Sequence, residues 1–290
     1  VIGIRRLKEP MPAPKATRVF TVANQKGGVG KTTTAVNIGA ALAMGGLKVL
    51  VIDLDPQGNA CTALGIDRSE LSGMYDVLVR DELLSNVVVK APGFPHLEVA
   101  PADVDLAGAE INMVSFVSRE SRLKFALQKY LAQRESEGVR IDYVIIDCPP
   151  SLGLLTVNAL TAAEEVLVPI QCEYYSLEGL TLLLQTLQQV QSMLNPKVKI
   201  TTIVLTMFDT RTRLANDVAN SVRQHFPNEL IDIPIPRAVR VSEAPSFNQT
   251  VMTYDASSPG AVAYMSVARE IATRGAGLTS VANIDGAHTA

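Results

Sequence analysis

Short, almost continuously apolar runs alternate along this chain with longer segments whose apolar positions recur every three or four residues. The short runs are Arg18 to Ala23, Lys48 to Asp53, Asp142 to Asp147, Val166 to Gln171 and Ile200 to Met207, each rich in Val and Ile. A run that is apolar at every position, rather than at every second one, predicts a parallel strand covered on both faces. Leu123, Leu127 and Tyr130-Leu131 mark one helical face, and Leu177, Leu180, Leu184, Leu187 and Leu194 mark another. Lys31 to Met44 is built from helix-forming residues and stops at Gly45-Gly46. Strand and helix in alternation predict an α/β fold with a doubly wound, mostly parallel sheet flanked by helices. Residues 1–17 carry Pro10, Pro12 and Pro14 among Arg5, Arg6, Lys8 and Lys15, and read as a flexible basic arm outside the fold. The pattern gives one domain over residues 18–274 and a flexible tail over 275–290.

Ligands of such sheets bind beyond the carboxyl ends of the strands. The first strand runs into Asn24-Gln25-Lys26-Gly27-Gly28-Val29-Gly30-Lys31-Thr32-Thr33-Thr34, which ends as a phosphate-binding loop does but has Gln25 where the usual first glycine stands. Gly27, Gly28 and Gly30 allow consecutive backbone N–H groups to turn inward around an anion at a helix N-terminus. Lys31 is placed to reach the β- and γ-phosphates, and the Thr32 hydroxyl to hold Mg²⁺. Asp53-Leu54-Asp55-Pro56 and Asp147-Cys148-Pro149 close two other strands. Carboxylates there suit a hard cation and an attacking water. Lys26, a second lysine inside the loop, has no role in the ordinary motif.

The remaining composition narrows the partners. The chain has 290 residues, 47% hydrophobic and 19% charged, with a net charge of -3, so any nucleic-acid contact must be a local patch. Cys61, Cys148 and Cys172 lack metal-ligand spacing and are odd in number, which fits a reducing cytoplasm. No apolar run is long enough to span a bilayer, and the start lacks a signal-peptide core.

The stretches "NQKGGVGKTTTAVN", "VLVIDLDPQGNA", "YVIIDCPPSLGLLTVNAL", "PIQCEYYSLEGL", "TMFDTRT" and "IPRAVRVSEAPSF" resemble the deviant Walker A ATPases of the ParA/MinD type, and within them the ParA (Soj-like) chromosome partitioning ATPases, over about residues 18 to 272. The resemblance implies a role for Lys26: reaching across an ATP-dependent homodimer to the partner subunit's phosphates. It further implies that Lys26, Gly27, Gly28, Val29, Gly30, Lys31, Thr32 and Thr33 bind ATP, and that Thr32 and Asp147 hold Mg²⁺, with Asp53 supporting the metal and lysine network. Asp55 would orient the attacking water, making Lys26, Lys31 and Asp55 the catalytic set. Base recognition maps to Met207, Pro236 and Arg237, and Met207 stands where a GTPase of related architecture would carry lysine.

The same resemblance implies that the ATP dimer binds double-stranded DNA without sequence preference. A ParB-type centromere-binding partner would release it by stimulating hydrolysis, which places the protein on the cytoplasmic nucleoid. Arg211 and Arg240 map to the DNA contacts, with Arg213 and Arg237 as weaker neighbours, and Gln249 departs from the basic residue many relatives carry. Residues 205–249 balance Arg211, Arg213, Arg223, Arg237 and Arg240 against Asp209, Asp217, Glu229, Asp232 and Glu243, so composition alone marks no DNA site there. Three other readings share the loop. A MinD-like membrane-associated ATPase needs an amphipathic anchor, but Gly275 to Ala290 holds no Lys, Arg or aromatic residue. A relative of the nitrogenase iron protein needs cluster-ligating cysteines. An ATPase that positions a protein cargo on the nucleoid is compatible with every motif.

Overall fold

The computed structural model describes residues 9–173 and 176–278. Its strands are β1 (Arg18–Val22), β2 (Val49–Asp53), β3 (Val89–Lys90), β4 (Leu97–Ala100), β5 (Tyr143–Asp147), β6 (Glu165–Gln171), β7 (Lys199–Thr206) and β8 (Leu230–Ile231). They form one sheet in the order β3-β4-β2-β5-β1-β6-β7-β8, parallel throughout except for the β3–β4 edge pair. The five long runs read from the sequence are all strands. The three that pattern reading missed, β3, β4 and β8, have two to four residues each, too few to show a period.

The long helices are α1 (Lys31–Met44), α2 (Arg122–Ser136), α3 (Leu154–Ala162), α4 (Ser176–Met193), α5 (Arg213–His225) and α6 (Pro259–Gly275). Alternating strand residues feed two opposed cores, which is why the strands are apolar at every position. Val49, Val51, Tyr143 and Ile145 pack with α1 and α6 on one face, whereas Leu50, Ile52, Val144 and Ile146 pack with α2 and α3 on the other. A third cluster joins Val168, Ile170, Ile203 and Leu205 to Leu180, Leu183, Leu187 and Val190 of α4. The stripe on α4 therefore differs from the expected one: Leu183 is buried, while Leu184 is turned outward and is 36% exposed.

The expectation that residues 1–17 lie outside the fold is corrected for the described part of that segment. Met11 is 5% exposed and belongs to the core that contains α1, and its backbone N–H donates to the Gly45 carbonyl. Arg140 donates to the Pro14 and Lys15 carbonyls, and Arg269 to those of Glu9 and Pro10. The prolines make an extended strap that leaves its carbonyls free for these arginines, and one methionine anchors it. Helix α6 runs to Gly275, one residue past the expected domain end, and the tail beyond Leu278 lies outside the described residues.

Candidate active site

Parallel pairing sets the site. Asp147 at the end of β5 is level with Val22 of β1 on one side and Asp53 of β2 on the other. The glycine loop and two carboxylates thus leave the sheet side by side. Gly28 and Gly30 have φ of 73° and 85°, the left-handed region a glycine enters at little cost, and Gly30 caps α1. The loop is braced from the two strands beyond β1, β6 and β7. The Asn24 side chain donates to the Pro169 carbonyl of β6 and accepts the Lys26 N–H, and Thr206 Oγ1 of β7 donates to the Val29 carbonyl at 2.8 Å.

Lys31 lies along the loop, with Nζ 3.3 Å from the Lys26 carbonyl oxygen, and is only 7% exposed. Burial holds its ammonium below the usual lysine value, opposed by the negative charge of Asp147 and Asp55. Asp147 is fully buried, and neither of its carboxylate oxygens completes a hydrogen bond among the described residues. Burial pushes its pKa well up, Asp53 adds to the rise, and the nearby Thr32 hydroxyl offsets part of it. Asp53 is also pushed up by burial, to about 6. Its oxygens accept the Asp55 and Cys61 N–H groups at 3.2 and 3.1 Å, so it holds the chain around Asp55 in place. Asp55 in turn accepts the Gln57 N–H at 3.0 Å.

A buried carboxylate without hydrogen-bond partners is costly, by several kcal/mol in order of magnitude, unless a cation answers it. Thr32 and Asp147 offer the oxygen donors that a hard divalent cation prefers.

Lys26 is half-buried at the loop edge and paired there. Its Nζ pairs with Glu173 Oε2 at 3.3 Å, and Arg237 reaches the other oxygen of the same carboxylate at 3.4 Å. Sequence reasoning missed Glu173, Asn24 and Thr206, although each lies at or within two residues of a strand end, the edge at which ligands of such sheets bind. Met207 has φ 49° and lays its methyl against the loop, 3.8 Å from where a Cβ on Gly30 would stand. Phe208 bridges Pro236, and the Arg237 N–H donates to the Phe208 carbonyl, so Met207, Pro236 and Arg237 come together at the same edge.

Arg211 and Arg237 line a groove of about 630 Å³ between residues 208–211, residues 233–237 and the first half of α6. Arg211 is 87% exposed but gripped by both oxygens of Asp209. Arg240 pairs with Glu243 and Asp255 and lies over the Tyr254 ring. Arg213 is 95% exposed, with Asp217 3.8 Å away.

A family model described as an AAA domain matches residues 17–200. The chromosome partitioning protein ParA of Caulobacter vibrioides is 50% identical over 258 residues, covering 89% of this chain and 94% of that protein. The sporulation initiation inhibitor protein Soj of Bacillus subtilis is 48% identical over 259 residues, covering 89% and 99%. Among solved structures, a protein described as cobyrinic acid a,c-diamide synthase from Mycobacterium smegmatis, with bound ATP analog and magnesium, superposes with a TM-score of 0.75 at 39% identity, covering 89% and 96%. With the phosphate loop, the strand-end carboxylates and near-full-length similarity in agreement, this chain belongs to the ParA/Soj family of chromosome-partitioning ATPases.

Proposed function

We propose that the protein binds ATP with Mg²⁺ in the loop Lys26 to Thr33, forms a sandwich homodimer in that state, and in that state binds double-stranded DNA without sequence preference. The observation that carries the reading is the bare Asp147 carboxylate, buried beside Thr32 and Lys31 at the N-terminus of α1, which calls for a cation and the phosphates that accompany it. Thr32 and Asp147 would hold the Mg²⁺, which would supply neutralisation of phosphate charge. The inward N–H groups of Gly27 to Thr33 hold phosphate oxygens, and Lys31 follows the charge that develops as the terminal phosphoryl group leaves. Asp55 orients the attacking water, and Asp53 keeps Asp55 in place through backbone N–H groups. Met207, Pro236 and Arg237 receive the base. Lys26 leaves Glu173 and crosses to the second subunit's nucleotide, offsetting repulsion between two bound triphosphates. Arg211, Arg240 and, more weakly, Arg213 contact DNA phosphates. A ParB-type centromere-binding protein stimulates hydrolysis and releases the dimer, so the protein works on the nucleoid in the cytoplasm. The similar Mycobacterium smegmatis structure with an ATP analog and magnesium supports the ligand pair.

The test measures DNA retention and phosphate release with ATP, with ADP, and with ATP plus a ParB-type protein. Retention with ATP alone and faster turnover with DNA and the ParB-type protein together are expected. Equal retention with ADP would sink the reading.

A further inference from the structure

We propose that Arg68 is a positioning residue for hydrolysis, because its guanidinium clamps the turn that carries Asp55 to the loop following β4. The inference rests on Asp55 as the group that orients the attacking water. The turn is Asp55-Pro56-Gln57-Gly58: the Gly58 N–H donates to the Asp55 carbonyl at 2.8 Å, and the Gln57 N–H donates to the Asp55 carboxylate. The Asp55 N–H ties the start of this turn to Asp53 at the end of β2. The far side of the turn, at Gln57 and Gly58, is tied down from outside by Arg68. Its Nη2 donates to the Gln57 carbonyl at 3.1 Å, and its Nη1 to the carbonyl of fully buried Ala102 at 3.0 Å.

The planar guanidinium lies directly on the α-carbon of Gly58, so that a Cβ there would overlap it, and Gly58 also has φ 64°. Both features explain glycine at 58, and the overlap places the guanidinium against the turn. Arg68 donates its hydrogen bonds to two main-chain carbonyls on two separate loops, an arrangement that locates backbone instead of balancing a side-chain charge. A planar fork of N–H donors can span two carbonyls in this way, whereas an ammonium on a flexible stem cannot hold both in one plane. With the clamp gone, the Asp55 carboxylate and the water it orients lose their fixed relation to the loop. A displacement of about 1 Å is enough to slow a reaction on the order of 10²-fold. ATP affinity stays, because the hydrogen bonds of Arg68 go to Gln57 and Ala102 and not to the glycine loop.

The test uses the full chain with Mg²⁺ and compares wild type, Arg68→Ala, Arg68→Lys and Asp55→Ala by single-turnover phosphate release and by affinity for a fluorescent ATP analog. Expected are losses in the hydrolysis rate on the order of 10–100-fold for both Arg68 variants, with analog affinity within about threefold of wild type. Millimolar guanidinium should restore part of the rate to Arg68→Ala and none to Asp55→Ala. A wild-type rate in Arg68→Ala beside an inactive Asp55→Ala overturns the clamp. So does a parallel fall in rate and affinity, which marks a general scaffold role or misfolding, or failure of guanidinium to rescue. A wild-type rate in Asp55→Ala instead refutes the role of Asp55, independently of Arg68.

Discussion

At the scale of single residues, the two lysines of the loop differ in what holds them. Lys31 is buried and points back along its own loop, whereas Lys26 is held by a partly exposed glutamate whose other oxygen holds Arg237. Lys31→Ala should therefore lose ATP, measured by titration of a fluorescent analog. Asp55→Ala should keep ATP and lose turnover on the order of 10²–10⁴-fold, the range for a lost water-orienting carboxylate. In the Asp55→Ala background, Lys26→Ala should bind ATP normally yet remain monomeric by light scattering with ATP and Mg²⁺. A dimer that persists in the double mutant would confine Lys26 to its own subunit. The positions of Lys31 in the glycine loop and of Asp55 and Asp147 at or just past strand ends were legible because each follows a pattern local in sequence, while the roles given to them rest on the family resemblance. Glu173 was not legible, because its pairing with Lys26 spans 147 positions and depends on β1 and β6 being neighbours.

At the scale of elements, β2 and β5 end on the same level and so bury two carboxylates together. Burial lifts Asp53 to about 6 and raises Asp147 as well. An unfolded aspartate ionises near pH 4, so between that value and about 6 the metal-free native state binds more protons than the unfolded chain. The contribution of Asp53 to stability is thus least favourable above pH 6 and improves as pH falls toward 4. Thermal melts of the metal-free protein at pH 7.5 and 5.0 should show wild type gaining on Asp53→Asn by about 1.4 kcal/mol, one pK unit. An unchanged difference between the two proteins would refute the burial argument.

The N-terminal strap is a second element whose weight can be measured. Met11→Ala should cost about 2 kcal/mol in urea unfolding, the lower end for a buried methionine because the strap is peripheral, with ATP affinity unchanged. Composition hid this element, since proline and basic residues describe an arm equally well whether or not one methionine finds a pocket.

At the scale of the whole molecule, the arginines expected to meet DNA come from the loop after β7, the start of α5 and the segment beyond residue 236, and each has an acidic neighbour. A patch so balanced should bind DNA weakly in one subunit and usefully only when doubled by dimerisation. Its affinity should fall steeply with salt, and each phosphate-contacting arginine removed should lower the slope of log affinity against log salt by about 1. Arg211→Ala and Arg240→Ala should weaken all sequences alike in filter binding with ATP, while Asp209→Asn, which frees Arg211, should strengthen them. Retention unchanged by all three would place the DNA surface elsewhere.

The five long strands, their alternation with helices, the glycine loop and the carboxylates at strand ends were determined by the sequence alone, because each depends on local periodicity or on residues adjacent in the chain. Which strands are neighbours was decided by tertiary structure. With β5 inserted between β1 and β2, Asp53, Asp147 and the loop share one edge, and with β6 and β7 beyond β1, Asn24, Thr206 and Glu173 reach the loop. The docking of Met11 and the clamp of Arg68 on Gly58 belong to the same class. Contacts between residues distant in the chain are selected by how the whole core packs, and no local pattern of hydrophobic positions encodes them.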